Sequence, residues 1–220
     1  MTCVVVYGRQ PIPGRVKTRL AASVGDEAAA ALYRALLQRS IQQAVLTGWH
    51  TVLALAEEPV CGWQPPTPVA LEIQRGADLG ERLRQTFGSR FSEGWSGAIV
   101  VGSDCPGMTA DHIRAAAADL ESFPAVMGPA EDGGYWLIGQ RAPGADLFSG
   151  IPWSSRDTLE ATRQRLGELG IEWAEIDRLV DIDTVEDVER VLAAETIDAE
   201  LRSALAGIVA GVEGYDGHRE

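Results

Sequence analysis

The 220-residue chain is long enough to bury an apolar core without disulfides, and one large domain is its simplest organisation. Hydrophobic residues make up 45% of the chain and charged residues 23%, and no apolar run approaches the roughly 20 residues of a membrane helix. A formal net charge of -13 disfavours broad binding to nucleic acid or to anionic membranes, so an anionic ligand needs a local basic site.

Cysteine content and the start of the chain bear on the cellular compartment. Cys3, Cys61 and Cys105 are odd in number, far apart and outside any CxxC pair, which indicates neither a disulfide framework nor a zinc site. Residues 2–7 form an apolar run without the basic segment and the cleavage site of a secretory signal. We therefore expect a cytoplasmic protein with reduced thiols.

Hydrophobic periodicity and turn residues divide the chain into alternating strands and helices. In the first half of the chain, the pattern predicts a strand over 3–7, a helix over 26–46, strands over 51–55 and 69–73, a turn over 75–80 and a helix ending near 91. A strand over 97–102, a helix over 111–121 and strands over 125–127 and 135–139 follow. The last predicted elements are a helix over 155–169, a strand over 171–176, a helix from 184 and a helix over 197–212. This alternation favours an α/β fold with three α/β/α layers around a Rossmann-like, mostly parallel mixed sheet. We predict one domain over 1–195 and a helical tail over 196–220.

The loop after the first predicted strand concentrates positive charge in an otherwise acidic chain. Its cations are Arg9, Arg15, Lys17 and Arg19. Lys17 is the only lysine of the chain, and a compact ammonium suits contact with a phosphate oxygen. A P-loop is excluded because Val16, not glycine, precedes the lysine, and no GxGxxG dinucleotide motif follows the strand. The loop predicts a phosphate site, with a solvated basic loop as the alternative.

Three aspartates form the second group of interest. Asp104 follows the predicted strand 97–102, at the end of the strands where open α/β sheets bind ligands. Asp181 and Asp183 flank Ile182, and alternation in an extended segment points both carboxylates to the same side. Carboxylates opposite a basic loop predict a Mg²⁺ site that also holds substrate phosphates. Capping of a turn or helix is the alternative role of each aspartate.

The segment 128–136 joins acidic residues to paired glycines. Gly133 and Gly134 permit backbone conformations that allow a close approach to a ligand, and Asp132 can orient an acceptor or hold a second metal. Asp-Gly is also the commonest hairpin turn signal, so a plain turn is the alternative.

The remaining polar and aromatic residues give weaker signals. The histidines are scattered, and Cys105 lacks a positioned histidine that would activate it. Tyr135 and Trp153 can stack on a base or sugar, although a role in the core is the alternative. Thr184 is predicted to cap the following helix at the amide of Asp187.

Six motifs in a fixed order carry a family resemblance over residues 3–192. They are PxPGxVKTRL, DLGERL, GSDCPGMT, GPAEDGGYWLIG, IPWSS and DIDTVEDV. Together they resemble a bacterial family of glycosyltransferase-like proteins, the radical-SAM/selenodomain-associated transferases of type 1. That family is similar to the nucleotide-diphospho-sugar transferase superfamily with the GT-A fold, which includes the guanylyltransferases of molybdenum-cofactor and phospholactate biosynthesis.

The resemblance implies a first loop that holds nucleotide phosphates and an aspartate after a central strand that binds Mg²⁺ or Mn²⁺. We expect catalytic roles for Lys17, Asp104 and Asp132 and a metal site at Asp104, Asp181 and Asp183. The expected nucleotide site comprises Arg9, Gly14, Arg15, Lys17, Thr18, Arg19, Asp78, Gly80, Ser103, Gly133 and Gly134. Arg9 stands where many members have lysine.

The function that follows is a metal-dependent transferase, which moves a nucleotidyl or glycosyl group from a nucleoside triphosphate or nucleotide sugar to a small acceptor. Asp104 lies in SDCP, not in the DxD of typical glycosyltransferases, which favours nucleotidyl transfer. The partners expected are the nucleotide donor and the small-molecule acceptor, without nucleic acid or membrane, and a second copy of the chain in a possible homodimer. A non-catalytic nucleotide-binding protein is the alternative, followed by a cysteine hydrolase that uses Cys105.

Overall fold

The computed structural model describes residues 1–194 and 197–216 of the chain. Its strands are β1 (Thr2–Gly8), β2 (Thr51–Leu55), β3 (Ala70–Ile73), β4 (Gly97–Val101), β5 (Ala125–Pro129), β6 (Tyr135–Arg141) and β7 (Trp173–Glu175). Its helices are α1 (Thr18–Val24), α2 (Asp26–Leu46), α3 (Leu79–Ser92), α4 (Ala110–Ser122), α5 (Thr158–Glu168), α6 (Val185–Ala193) and α7 (Ala199–Asp216).

The seven strands form one mixed sheet in the order β3-β2-β1-β4-β6-β5-β7. The pairs β1–β2, β1–β4, β2–β3 and β5–β7 are parallel, whereas β6 runs antiparallel to both of its neighbours. From β1 the chain continues to β2 on one side, while β4 lies on the other side, so the connections diverge between β1 and β4. Such a switch point opens a crevice at the carboxyl ends of the strands.

Alternating side chains of β1 show why the sheet is covered on both faces. Val4 and Val6 are fully buried in a core with α2 and α4. Cys3 and Val5 point the opposite way, into a core with α3 and α5. Because successive residues of a strand face opposite sides, an unbroken apolar strand requires two helical layers. The fold is therefore the predicted three-layer α/β/α architecture with a mostly parallel sheet.

A third buried cluster joins the end of the chain to its beginning. Leu201, Leu205 and Ile208 of α7 pack with Leu20 of α1 and with residues of α2 and α6. The domain boundary predicted between residues 195 and 196 falls on residues outside the described ranges. That division stays a prediction, while the described part of α7 is packed on the sheet-containing domain.

Most predicted elements coincide with the observed ones. The predicted helix 26–46 and strand 51–55 have the same bounds as α2 and β2. The Thr184 side chain accepts a hydrogen bond from the Asp187 amide, which confirms the predicted cap of α6. Helix α1 was not predicted, because its first residues belong to the basic loop of the sequence. Within the described ranges, no helix is both long and apolar enough to cross a membrane.

Candidate functional site

A cleft of about 860 Å³ opens where the carboxyl ends of the strands diverge. The loop after β1 forms one side of it and the segment after β4 another, as the switch-point argument requires. The beginning of α3 and the segment around Trp153 complete the lining. The cleft thus unites elements that are far apart in sequence.

Tyr33 of α2 ties the two central loops together at the floor of the cleft. Its hydroxyl accepts a hydrogen bond from the Arg9 amide at 2.9 Å and shares another with the Ser103 hydroxyl at 2.9 Å. Tyr33 and Ser103 are almost completely buried. Burial raises the pKa of Tyr33, so this phenol stays neutral and fixes the spacing between the loops.

Lys17 lies at the centre of the charged part of the site. Its ammonium is 2.6 Å from Oδ1 of Asp104 and 3.1 Å from Oδ1 of Asp183, and its side chain is only 5% exposed. Burial alone would lower the pKa of Lys17, but the charges of Asp104 and Asp183 outweigh that effect and raise it. Lys17 is therefore a buried cation between two carboxylates. Its predicted contact with phosphate stays a prediction.

Asp104 presents a buried oxygen to this centre. Oδ1 of Asp104 is buried and accepts no aligned hydrogen bond from any described residue, although the Lys17 ammonium is close enough for an ion pair. The backbone carbonyl of Asp104 accepts a 3.0 Å hydrogen bond from the Ile182 amide, which joins the segment after β4 to the segment that carries Asp183. Ile182 is fully buried, as the sequence predicted.

Asp181, the third predicted metal ligand, forms no ion pair with Lys17, unlike Asp104 and Asp183. Burial, with repulsion from Asp132 and then Asp183, raises the pKa of Asp181 to about 6. The side chain does not line the cleft. In the described part of the chain, no three His, Cys, Asp or Glu side chains form a group that could hold a metal ion. The three-aspartate metal site stays a prediction, and two of its members, Asp104 and Asp183, contact the Lys17 ammonium.

The arginines of the first loop lie at the mouth of the cleft. Arg9, Arg15 and Arg19 all line it and are exposed. Arg19 lies 3.5 Å from Asp183 with its side chain 78% exposed, and no ion pair of the described residues involves Arg9 or Arg15. Because these guanidinium groups are exposed, they can bind an anionic ligand.

An aromatic wall, formed by Tyr7, Tyr135 and Trp153, closes the side of the cleft next to α3. The rings of Tyr135 and Trp153 meet edge to face, with centroids 6.3 Å apart. A Cβ on Gly80 would lie 2.8 Å from Cε2 of Trp153, so the indole packs directly on the first turn of α3. The side chain of Asp78 caps that turn by accepting from the Glu81 amide at 2.8 Å.

The glycine-rich segment after β5 forms a tight turn beside the cleft. Asp132 accepts a 2.8 Å hydrogen bond from the Gly134 amide, which is the local role expected of an Asp-Gly turn. Gly133 has φ +93°, and a Cβ there would lie 2.7 Å from the carbonyl carbon of Arg156. The turn therefore supports the segment that leads from Trp153 into α5. No residue of this turn lines the cleft.

The structure thus divides the predicted site residues into two groups. Those that line the cleft are Arg9, Arg15, Lys17, Thr18, Arg19, Asp78, Ser103, Asp104 and Asp183. Those outside its lining are Gly14, Gly80, Asp132, Gly133, Gly134 and Asp181. Sequence reasoning missed the contributions of Tyr7, Tyr33, Gln74 and Arg82. Tyr33 sits among the apolar positions of α2, where nothing local distinguishes it from a core residue.

Cys105 has the environment of a core thiol. It is 6% exposed, and burial raises the pKa of its thiol well above the usual value. A catalytic cysteine requires thiolate, so this position does not favour a cysteine hydrolase.

The mostly parallel mixed sheet with helices on both faces is the α/β fold of nucleotide-diphospho-sugar transferase structures. The chain is similar to the crystal structure of a candidate nucleotide-diphospho-sugar transferase from Desulfovibrio desulfuricans G20. The two are 28% identical, with a TM-score of 0.89 and 97% of each chain covered. More narrowly, the chain belongs to the family of uncharacterized proteins conserved in bacteria, DUF2064, which matches residues 36–155.

Two further structures share the fold at lower sequence identity. CMP:2-keto-3-deoxy-manno-octonic acid synthetase in complex with CTP is 15% identical, with a TM-score of 0.57, 88% of this chain and 97% of that chain covered. The inositol-1-phosphate CTP transferase of T. maritima is 12% identical, with a TM-score of 0.54, 94% of this chain and 96% of that chain covered. No curated protein matches the chain in sequence.

Proposed function

We propose that the protein is a metal-dependent transferase that binds the phosphates of a nucleoside triphosphate or nucleotide sugar and transfers a nucleotidyl or glycosyl group to a small acceptor. The observation that carries the proposal is the cleft itself, which brings the cations of the first loop together with Asp104 and Asp183. The transferases that share the fold support the same class.

The first loop supplies the phosphate contacts in this proposal. Arg9, Arg15 and Arg19 lie at the mouth of the cleft with their guanidinium groups exposed, where they can pair with phosphate oxygens. The hydroxyl of Thr18 lies in the same lining. Since the chain carries a net charge of -13, this loop provides the local positive potential that a polyanionic donor requires.

Asp104 and Asp183 fit a divalent cation. Both carboxylates face one point, the position of the Lys17 ammonium, and Oδ1 of Asp104 has no aligned hydrogen bond there from a described residue. Mg²⁺ is typically held by one or two carboxylates and completes its shell with water and substrate phosphates. When bound, Mg²⁺ or Mn²⁺ would neutralise charge on the leaving phosphate. Asp104 and Asp183 would hold and orient it.

The acceptor would enter along the aromatic wall, where the rings can pack against it and leave the cations of the first loop to the donor phosphates. In nucleotidyl transfer, an acceptor phosphate attacks the α-phosphorus and pyrophosphate leaves. In glycosyl transfer, an acceptor attacks the sugar carbon and a nucleoside diphosphate leaves. The single aspartate of the SDCP segment, in place of a DxD motif, favours nucleotidyl transfer. Tight positioning and preorganised charge would supply most of the rate in either reaction.

The test is a thermal-stability screen with nucleoside triphosphates and nucleotide sugars, each with and without Mg²⁺ or Mn²⁺. A ligand at 100 times its dissociation constant stabilises the folded state by about 2.7 kcal/mol. We expect a metal-dependent shift that Asp104→Asn abolishes. Arg34→Ala is the control, because Arg34 is exposed on α2 and outside the cleft lining.

Product analysis with the donor found in the screen then separates the two reactions, since pyrophosphate identifies nucleotidyl transfer and a nucleoside diphosphate identifies glycosyl transfer. Metal affinity and product formation unchanged in Asp104→Asn would refute the metal assignment. Nucleotide binding without a metal-dependent product for any acceptor would instead identify a nucleotide-binding protein without turnover.

A further inference from the structure

The only lysine of the chain is buried against the two carboxylates proposed to hold the metal. The Lys17 ammonium is 2.6 Å from Asp104 and 3.1 Å from Asp183, with 5% of its side chain exposed. The carboxylates themselves are 47% and 40% exposed, so the cation is the most deeply buried member of the three. A cation and a divalent metal compete for the same oxygens at such distances.

Helix α1 does not explain the conformation and charge of Lys17, although the Lys17 carbonyl accepts a 2.8 Å hydrogen bond from the Ala21 amide. Lys17 has φ 48° and ψ 46°, and it is one of two non-glycine residues with positive φ in the described ranges. Side chains with a Cβ adopt this left-handed conformation at a cost of roughly 1–2 kcal/mol. A cation at the N-terminus of a helix also opposes the helix dipole. Strain of this kind is typical of functional positions.

We infer that Lys17 is an exchangeable counter-ion, which holds Asp104 and Asp183 together in the ligand-free protein and leaves them when a divalent metal binds. The inference rests on the metal site of the proposed function and adds a role for the lysine within it. The ammonium and the metal compete for the carboxylates, because like charges at these distances repel each other. Once displaced, the flexible stem of Lys17 places its charge in the cleft, beside Arg15 and Arg19, where donor phosphate lies.

The exchange couples the two ligands of the site. When metal binds alone, the Lys17 ammonium loses its two carboxylate partners and gains no new one. When metal binds together with a nucleotide, the displaced ammonium gains a phosphate as its new anionic partner. Donor and metal should therefore strengthen each other's binding, and the coupling is reciprocal.

The first experiment uses the fact that Lys17 is the only lysine. Tag-free protein has two amines that an acylating reagent can modify, the N-terminus and Lys17, and intact mass separates zero, one and two acylations. We expect slow modification of Lys17 without metal and a rate roughly tenfold higher in saturating Mn²⁺, the factor that corresponds to 1.4 kcal/mol of lost ion pairing. The N-terminal amine is the internal control. A Lys17 rate that saturating Mn²⁺ leaves unchanged would overturn the inference.

The second experiment measures Mn²⁺ binding by calorimetry without nucleotide. Lys17→Met removes the competing charge and keeps a long apolar side chain, so we expect Mn²⁺ to bind roughly tenfold more tightly than to the wild type. Arg19→Met tests proximity, since Arg19 lies 3.5 Å from Asp183 but is 78% exposed. Arg34→Met tests the change in net charge. If either control gains as much affinity for Mn²⁺ as Lys17→Met, the effect is general electrostatics and the inference is overturned. The inference is also overturned if Lys17→Met gains no affinity.

The outcomes separate this inference from the proposed function. Release of Lys17 by Mn²⁺ without a transferase product would support the exchange and contradict the activity. A metal-dependent product from a protein whose Lys17 stays equally protected with Mn²⁺ would support the activity and contradict the exchange. If Lys17→Met does not fold, the acylation of the wild-type protein still decides the question.

Discussion

At the residue scale, the three thiols differ sharply in accessibility. Cys61 is exposed, whereas Cys3 and Cys105 are buried, and burial raises the pKa of Cys3 to about 11. A thiol-disulfide reagent attacks thiolate, so burial and a raised pKa both slow its reaction. At pH 8 we expect one fast-reacting thiol in the native protein and three after denaturation, counted by the absorbance of the released reagent. Cys61→Ser should eliminate the fast phase. A fast phase that persists in this variant would contradict the described environments of Cys3 and Cys105.

The cap of α6 gives a second prediction at this scale. The Thr184 hydroxyl accepts from the Asp187 amide, and the Asp187 carboxylate accepts from the Thr184 amide at 2.9 Å. Thr184→Ala should lower the free energy of unfolding by about 1 kcal/mol, the usual value of such a cap. Thr184→Ser keeps the hydroxyl and should retain most of that stability in urea unfolding. Equal losses in the two variants would show that the methyl group, not the cap, matters.

Thr184 and Lys17 show which contacts can be predicted from a sequence and which cannot. The cap of Thr184 was predictable because its partner lies three residues away and the pattern is local. The pairing of Lys17 with Asp183 spans 166 residues and depends on the order of the strands. The sequence identified both residues as functional candidates, but nothing local indicates that they form a buried ion pair.

At the element scale, helix α3 depends on a glycine in its first turn. Gly80 leaves room for the indole of Trp153, and a Cβ there would lie 2.8 and 2.9 Å from the ring carbons Cε2 and Cζ2. Gly80→Ala should destabilise the protein by about 1–3 kcal/mol, the usual effect of overpacking. It should also move the indole and so alter the near-ultraviolet circular dichroism.

Gly88 provides a matched control on the same helix. A Cβ on Gly88 has no neighbour within 4 Å, so Gly88→Ala should instead stabilise the protein by about 0.5–1 kcal/mol through helix propensity. Urea unfolding of the two variants compares the same substitution in two environments. Loss of stability in both would mean that α3 tolerates no added methyl group, and the specific contact with Trp153 would be refuted.

The most accurately predicted elements were α2, a long segment rich in Ala, Leu and Gln, and β2, an unbroken apolar run. Helix α1 escaped prediction because it follows the basic loop directly, begins after a residue in the left-handed conformation and has no side-chain cap. Local propensity is a weak guide to so short a helix, whose formation depends on the packing of Leu20 against α7. The sequence named Tyr135 and Trp153 as residues that can stack on a ligand, but their assembly into one wall with Tyr7 depends on the contact of the segment before α5 with α3.

At the scale of the whole molecule, the fold followed from the alternation of strands and helices, and the location of the cleft followed from the switch point. Parallel strands place their carboxyl ends on one edge, so the loop after β1 and the segment after β4 had to meet. The depth and the composition of the cleft do not follow from the strand order. They depend on which side chains of α2, α3 and the segment before α5 reach the same space.

The last prediction concerns the connection of α7 to the rest of the protein. Leu205 is fully buried with Leu20, Ile182 and Val188, which belong to segments close to the charged centre of the cleft. Leu205→Ala leaves a cavity in that cluster and should cost about 2–5 kcal/mol. If α7 unfolds with the domain, urea unfolding keeps a single transition with a lower midpoint. Leu46→Ala is the control, because Leu46 is 61% exposed, and its effect should stay within about 0.5 kcal/mol. An unchanged main transition with a separate early one would instead identify α7 as an independently unfolding tail.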